Sequence, residues 1–162
     1  MSKISSQKAF QQALSDLPLA QQRQVGARFI EHVLDLSSEP RFDTAFRAAS
    51  RADASSQVLQ DAYHAVYALY VKSHPRSDLS DVNYHKQAVH FIAEACLTCL
   101  APTYHETKAH HLAEKVAMYC RMARVCANIP HEQDYPNLGA AEQAMRAETL
   151  AQYGIVSEYL GD

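Results

Sequence analysis

His90 and Glu94 stand four residues apart, and so do His110 and Glu114. On a helix that interval puts both members of a pair on one face, one turn apart. Imidazole nitrogen and carboxylate oxygen are the donors with which helical bundles hold zinc or iron, and facing helices supply them together. If the chain reverses at Ala101 and Pro102, counting outward sets Glu94 level with about Ala109 and His90 with about Ala113. His90, Glu94, His110 and Glu114 then share one height. In such a centre the histidines and one carboxylate are ligands, and the other carboxylate is a ligand or general base. The competing account makes both stripes solvated faces with helix-stabilising pairs.

Two further groupings carry chemistry on paper. Tyr63, Tyr67 and Tyr70 follow at intervals of four and three, with His64 beside them. Such a row either lines a surface for a partner, since tyrosine joins apolar area to a polar tip, or packs its rings at the edge of the core. Cys96-Leu97-Thr98-Cys99 has redox or zinc spacing, but it lies near a helix C-terminus, where the dipole disfavours a thiolate. A turn at Pro102 would also leave Cys99 and Cys120 on the order of 20 Å apart at helical rise. All four cysteines are therefore expected to be buried, reduced and apolar in role.

Three short patterns invite comparison with known families. His90-x-x-x-Glu94 is similar to one of the His-x-x-x-Glu pairs of hemerythrin-like proteins. That resemblance implies a metal-binding bundle, or a metal-dependent hydrolase, loaded with zinc or iron. The Glu-x-x-His pairs of ferritin-like proteins have one near counterpart here, Asp61-x-x-His64. Arg124 and His131, with six residues between them, resemble the Arg-x(4–6)-His motif of the all-helical HEPN-type ribonucleases. This implies RNA cleavage that depends on His131.

Whatever these residues do, helices must position them. Residues 88–101 are apolar at eleven of fourteen positions, and the exceptions His90, Glu94 and Thr98 fall on one line. A helix apolar on every other side belongs at the centre of a bundle. The expected fold is all-α, a single domain over residues 1–162. About six or seven helices surround a buried helix at about 82–100, which pairs antiparallel with about 103–127. The partner's seam reads Ala109, Leu112, Val116, Tyr119, Ala123 and Cys126. Ser5 or Ser6 and Ser55-Ser56 are capping signals, and Pro18 and Pro40 open helices. Gly26 interrupts an apolar helical face at a propensity cost of about 1 kcal/mol, which either is tolerated or marks close approach by a neighbour. Residues 74–81 read as a loop, and the last helix, from Leu138, is expected to weaken at Gly154.

Composition excludes several functions. A net charge of −3 argues against nucleic-acid binding, which needs clustered Lys and Arg. Residues 1–8 lack the apolar run of a signal peptide, and no window reaches eighteen apolar residues, so a cytoplasmic protein without a membrane span is expected. No phosphate loop, nucleophile elbow or Ser/His/Asp set is present in the sequence. The expectation is therefore a protein–protein interaction role, as adaptor, regulator or immunity-type factor, with possible self-association. Its surface would be Tyr63, His64, Tyr67 and Tyr70, with no cofactor and no catalytic residue. A metal-binding bundle comes second and a HEPN-like ribonuclease third.

Overall fold

The computed structural model describes residues 4–73, 83–101, 111–129 and 138–161. Seven α-helices follow in order among them: α1 Gln7–Ser15, α2 Leu19–Val33, α3 Pro40–Ser50, α4 Ser56–Lys72, α5 Tyr84–Leu100, α6 Leu112–Ala127 and α7 Leu138–Leu160. A 3-10 turn, Leu34–Leu36, extends α2. The chain is an all-α bundle with no strand among the described residues. Nor is any described helix long and apolar enough to cross a membrane. The expected loop at 74–81, Pro102, and the first part of the sixth helix lie outside the described residues.

Local chemistry sets the helix starts. Ser6 Oγ accepts from the Ala9 N–H at 3.2 Å, and Ser55 Oγ accepts from Val58 at the same distance. Asn83 Oδ1 accepts from Lys86 at 3.1 Å, giving α5 a cap that the sequence pattern had not marked. Each bond satisfies one of the orphan donors of a first turn. Pro40 opens α3, where its missing N–H costs nothing.

One contiguous apolar core draws on all seven helices. Ala88, Ile92, Ala93, Ala95, Cys96 and Cys99 of α5 are fully buried, while the polar line His90, Glu94 and Thr98 stays at the margin. The partner α6 buries more than the expected seam. Ala113, Ala117 and Cys120 join Leu112, Val116, Ala123 and Cys126 inside, because α6 packs on α2 and α7 as well as on α5.

Gly26 marks close approach. A Cβ there would lie 3.1 Å from Cys99 Sγ and 3.4 Å from Val116 Cγ2, so α2 meets the α5–α6 pair at that point. Gly26→Ala sets a gain in helix propensity against a tight contact, and its net effect is expected to stay within about 1 kcal/mol. Gly26→Leu has no room and is expected to cost about 2–3 kcal/mol in urea unfolding. A leucine variant as stable as wild type would show that the helices can separate freely.

Two neighbouring residues of α2 hold the ends of the central pair. Arg23 Nε donates to the Cys99 carbonyl at 2.8 Å and Arg23 Nη2 donates to the Ala101 carbonyl at 3.0 Å. This places a cation on the unsatisfied C-terminal acceptors of α5. Gln22, 2% exposed, accepts from the Ala113 N–H in the first turn of α6 through Oε1, and donates to the Leu17 carbonyl through Nε2. At the other end of the chain the expected weakening at Gly154 does not occur. Helix α7 runs through it to Leu160, with Tyr153, Val156 and Ser157 buried on either side. Burial of these neighbours outweighs the glycine's propensity cost of about 1 kcal/mol.

Candidate functional site

The tyrosines of α4 begin a run of rings that crosses onto α5 and α6. Tyr63 stacks on Tyr67 with centroids 6.3 Å apart, and Tyr67 on Tyr70 at 6.0 Å. Tyr70 then stacks on His90 of α5 at 4.8 Å, and His64 meets Tyr63 edge-on at 6.0 Å. Beyond His90 the series continues through Phe91 to Tyr119 of α6 at 6.3 Å. Tyr63 and Tyr70 pack against the core, whereas Tyr67 is 47% exposed and Val71, one turn on, is 57% exposed. The four-residue interval puts Tyr67 and Val71 on one face. All four residues assigned from the sequence to an interaction surface thus lie on a single connected patch.

Polar groups fasten the inner side of this patch. Ser73 Oγ lies 3.1 Å from His90 Nδ1. The Tyr70 phenol is pushed above its ordinary value by burial and then by the Glu94 carboxylate that it meets. Burial and Glu94 push Tyr119 upward in the same way. A phenolate beside that carboxylate would be unfavourable, so both rings stay neutral donors at physiological pH.

Of the four residues aligned as metal ligands, the structure pairs two. His90 Nε2 lies 3.8 Å from Glu94 Oε1 on one turn of α5. Glu114 turns elsewhere: it accepts from Gln11 of α1 at 2.6 Å and lies 3.4 Å from His111 Nδ1. His110 lies outside the described residues. The reason is register. Phe91 meets Tyr119, and Gln87 Oε1 lies 3.9 Å from Cys126 Sγ, so Glu94 is level with the middle of α6 and not with its start. Among the described residues no group of three or more His, Cys, Asp or Glu side chains is placed to hold a metal ion.

The same register brings the thiols closer than the counted alignment does. Cys96 and Cys99 both bear on the Cys120 thiol, and all four cysteines are free and buried. Burial pushes Cys99 up to about 12, which leaves it a neutral apolar group. His131 of the Arg–His motif is also outside the described residues, but Arg124 is not, and it is committed to a structural network.

That network was missed in the sequence. Arg124 donates to Asp35 through Nη1 and Nη2 at 2.8 and 2.9 Å, to the His32 carbonyl at 2.9 Å, and through Nε to Glu148 at 3.1 Å. Glu148 is 2% exposed, and its other oxygen lies 2.9 Å from His32 Nδ1. One turn along α7, buried Gln152 accepts from Arg121 Nε at 2.6 Å and donates to the Ala117 carbonyl at 2.9 Å. Arg121 Cζ lies over the Phe10 ring at 5.1 Å, and its buried Nη2 has no hydrogen-bond partner among the described residues. A signal was available. Ala144, Glu148, Gln152 and Val156 recur every four residues, so two polar side chains sit on the buried line of α7. Compared with known protein families, curated proteins and solved structures, the chain matches none.

Proposed function

We propose that this chain is a cytosolic helical protein that works by binding another protein or a second copy of itself, through the tyrosine face of α4. One observation carries the reading. Tyr67 is 47% exposed yet is stacked on Tyr63 and Tyr70, which themselves rest on the core. A ring already held in place gives up little rotamer freedom on docking, which favours it as an anchor. Val71 extends the apolar area beside it. An adaptor, regulator or immunity-type factor needs a surface of this kind and no reaction centre.

The test is the double variant Tyr67→Ser/Val71→Ser. Its two side chains are mostly outside the core, so far-UV dichroism and melting temperature are expected to hold, while association falls by roughly tenfold or more, the worth of about 1.4 kcal/mol. Sedimentation of the purified chain over a concentration series reads self-association, and pull-downs compare wild type with variant. Equal association of the two proteins would remove this face from consideration.

A second reading retains metal binding, favoured by the approach of His90 to Glu94 within 3.8 Å. In it Ser73, at His90 Nδ1, would orient the ring as outer partners of metal-bound histidines do. Protein purified without chelator or affinity tag would then carry stoichiometric zinc or iron and melt at higher temperature with the metal than without. Metal-free protein with an unchanged melt on adding either ion would reject this reading.

A further inference from the structure

We propose that His32 and Glu148 form a proton-transfer site that opens on the cleft between α2 and α7, away from the tyrosine face. The cleft, of about 430 Å³, is lined by Arg28, Glu31 and His32 of α2 and by Ile155 and Glu158 of α7. That volume is in the range of small-molecule sites.

The argument starts from the buried carboxylate. Both Glu148 oxygens are engaged, one by Arg124 Nε at 3.1 Å and the other by His32 Nδ1 at 2.9 Å. An ionised carboxylate only accepts hydrogen bonds, so Nδ1 is the donor and carries the proton. In its neutral form the ring then has its lone pair on Nε2. His32 is 42% exposed while its partner is 2% exposed. The Nδ1 edge faces Glu148, and the half-exposed ring lines the cleft. Nε2 has no hydrogen bond of its own among the described residues.

Arg124 shares its one positive charge between Glu148 and Asp35. What the histidine gains from the contact is one tautomer and one orientation, the two things a proton-accepting imidazole needs. The cleft walls define the ligand. Two carboxylates, Glu31 and Glu158, stand against one guanidinium, Arg28, which is laid over the Tyr159 ring at 5.3 Å. They favour a small molecule with an ammonium group near the carboxylates and a hydroxyl directed at Nε2. In the transfer the ligand's O–H bond breaks, its electron pair stays on the oxygen as an alkoxide offset by the Arg28 guanidinium of the same cleft, and an N–H bond forms at Nε2. The resulting imidazolium keeps its Nδ1–H on Glu148, and the reverse step returns the proton.

Long-range nitrogen–proton NMR reads the His32 tautomer directly. The Nδ1–H form is expected, and Nε2 is expected to react with diethyl pyrocarbonate on the order of tenfold faster than the exposed His64 and His85. Glu148→Gln should abolish that advantage. If this variant does not fold, the tautomer and relative rates in wild type decide. Ethanolamine, used as the probe, should shift the His32 ring signals saturably where sodium acetate does not. An Nε2–H tautomer, a His32 rate no greater than that of His64, or ring signals unmoved by ethanolamine would each overturn the proposal.

Discussion

Arg124→Met is expected to cost about 3 kcal/mol, near the lower end of what removing one partner of a buried ion pair does. For a chain of this size that lowers the melting temperature by roughly 6–12 °C. Glu148 is 2% exposed and would be left with His32 as its one hydrogen-bond partner among the described residues, while Asp35 would lose both of its guanidinium bonds. The arginine is itself 18% exposed, which places the effect below that of a fully enclosed pair. Arg124→Met combined with Glu148→Leu removes the stranded carboxylate, and the double variant is expected to be more stable than the single one. Urea unfolding at neutral pH measures both. A loss under about 1 kcal/mol in the single variant would mean that water reaches Glu148 as it does an ordinary surface pair.

Acid should erase part of that difference. The Arg124 hydrogen bond, helped by its charge, holds Asp35 below the ordinary value of 3.8. A depressed carboxylate contributes stability that is present above its unfolded value and is lost as the pH falls through its folded value. The gap between wild type and Arg124→Met is therefore expected to narrow below about pH 4 as Asp35 takes up a proton. A gap that stays constant into that range would assign the effect to packing of the arginine stem.

Ile92→Ala is expected to destabilise by about 3 kcal/mol, the sum of lost transfer free energy and the cavity left among side chains that close only partly. Ile92 is fully buried at the middle of α5, and its neighbours on that helix, Ala88, Ala93, Ala95 and Cys96, are small and buried with it. Small side chains cannot swing into the space, so little of the cavity is recovered. Ile92→Val should cost about 1 kcal/mol. As a contrast on the same scale, Val71→Ala, at a position 57% exposed, should stay within about 0.5 kcal/mol. Equal losses at positions 92 and 71 would contradict a core centred on α5.

The helices could be read from the sequence wherever a local rule decides them. Ser6 and Ser55 cap as their positions suggest, and the polar line His90, Glu94 and Thr98 lies at the margin of an otherwise buried α5. Gly26 stands where a neighbouring helix leaves room for nothing larger without a shift. Long-range arrangement was harder. The height of α6 against α5 depends on how many residues the connection consumes, and in the observed register about two helical turns separate His90 from Glu114. Tyr119 takes the place beside Glu94 that the counting gave to a metal ligand. The sequence does not mark Glu148 and Gln152 as buried, because charged and amide side chains on a helix are mostly solvated. Only their partners Arg124 and Arg121, on another helix, account for their burial. The tyrosine row was legible because its residues are near one another in sequence. Its continuation through His90 and Phe91 to Tyr119 exists only once three helices have met.

The contact between α1 and α7 bears on how the molecule is made. Ile4 donates its backbone N–H to Ser157 Oγ, Tyr153 donates its hydroxyl to Gln7 Oε1, and Phe10 rests on the Tyr153 ring at 5.2 Å. Partners more than 140 positions apart must find each other. During translation the apolar side of α1 can meet α2 early, through Phe10 and Phe29, but it waits partly uncovered for a helix that leaves the ribosome long after it. Completion of the fold is a late event, and in that interval the nascent chain offers chaperones Phe10 and Leu14, two side chains that the finished protein hides.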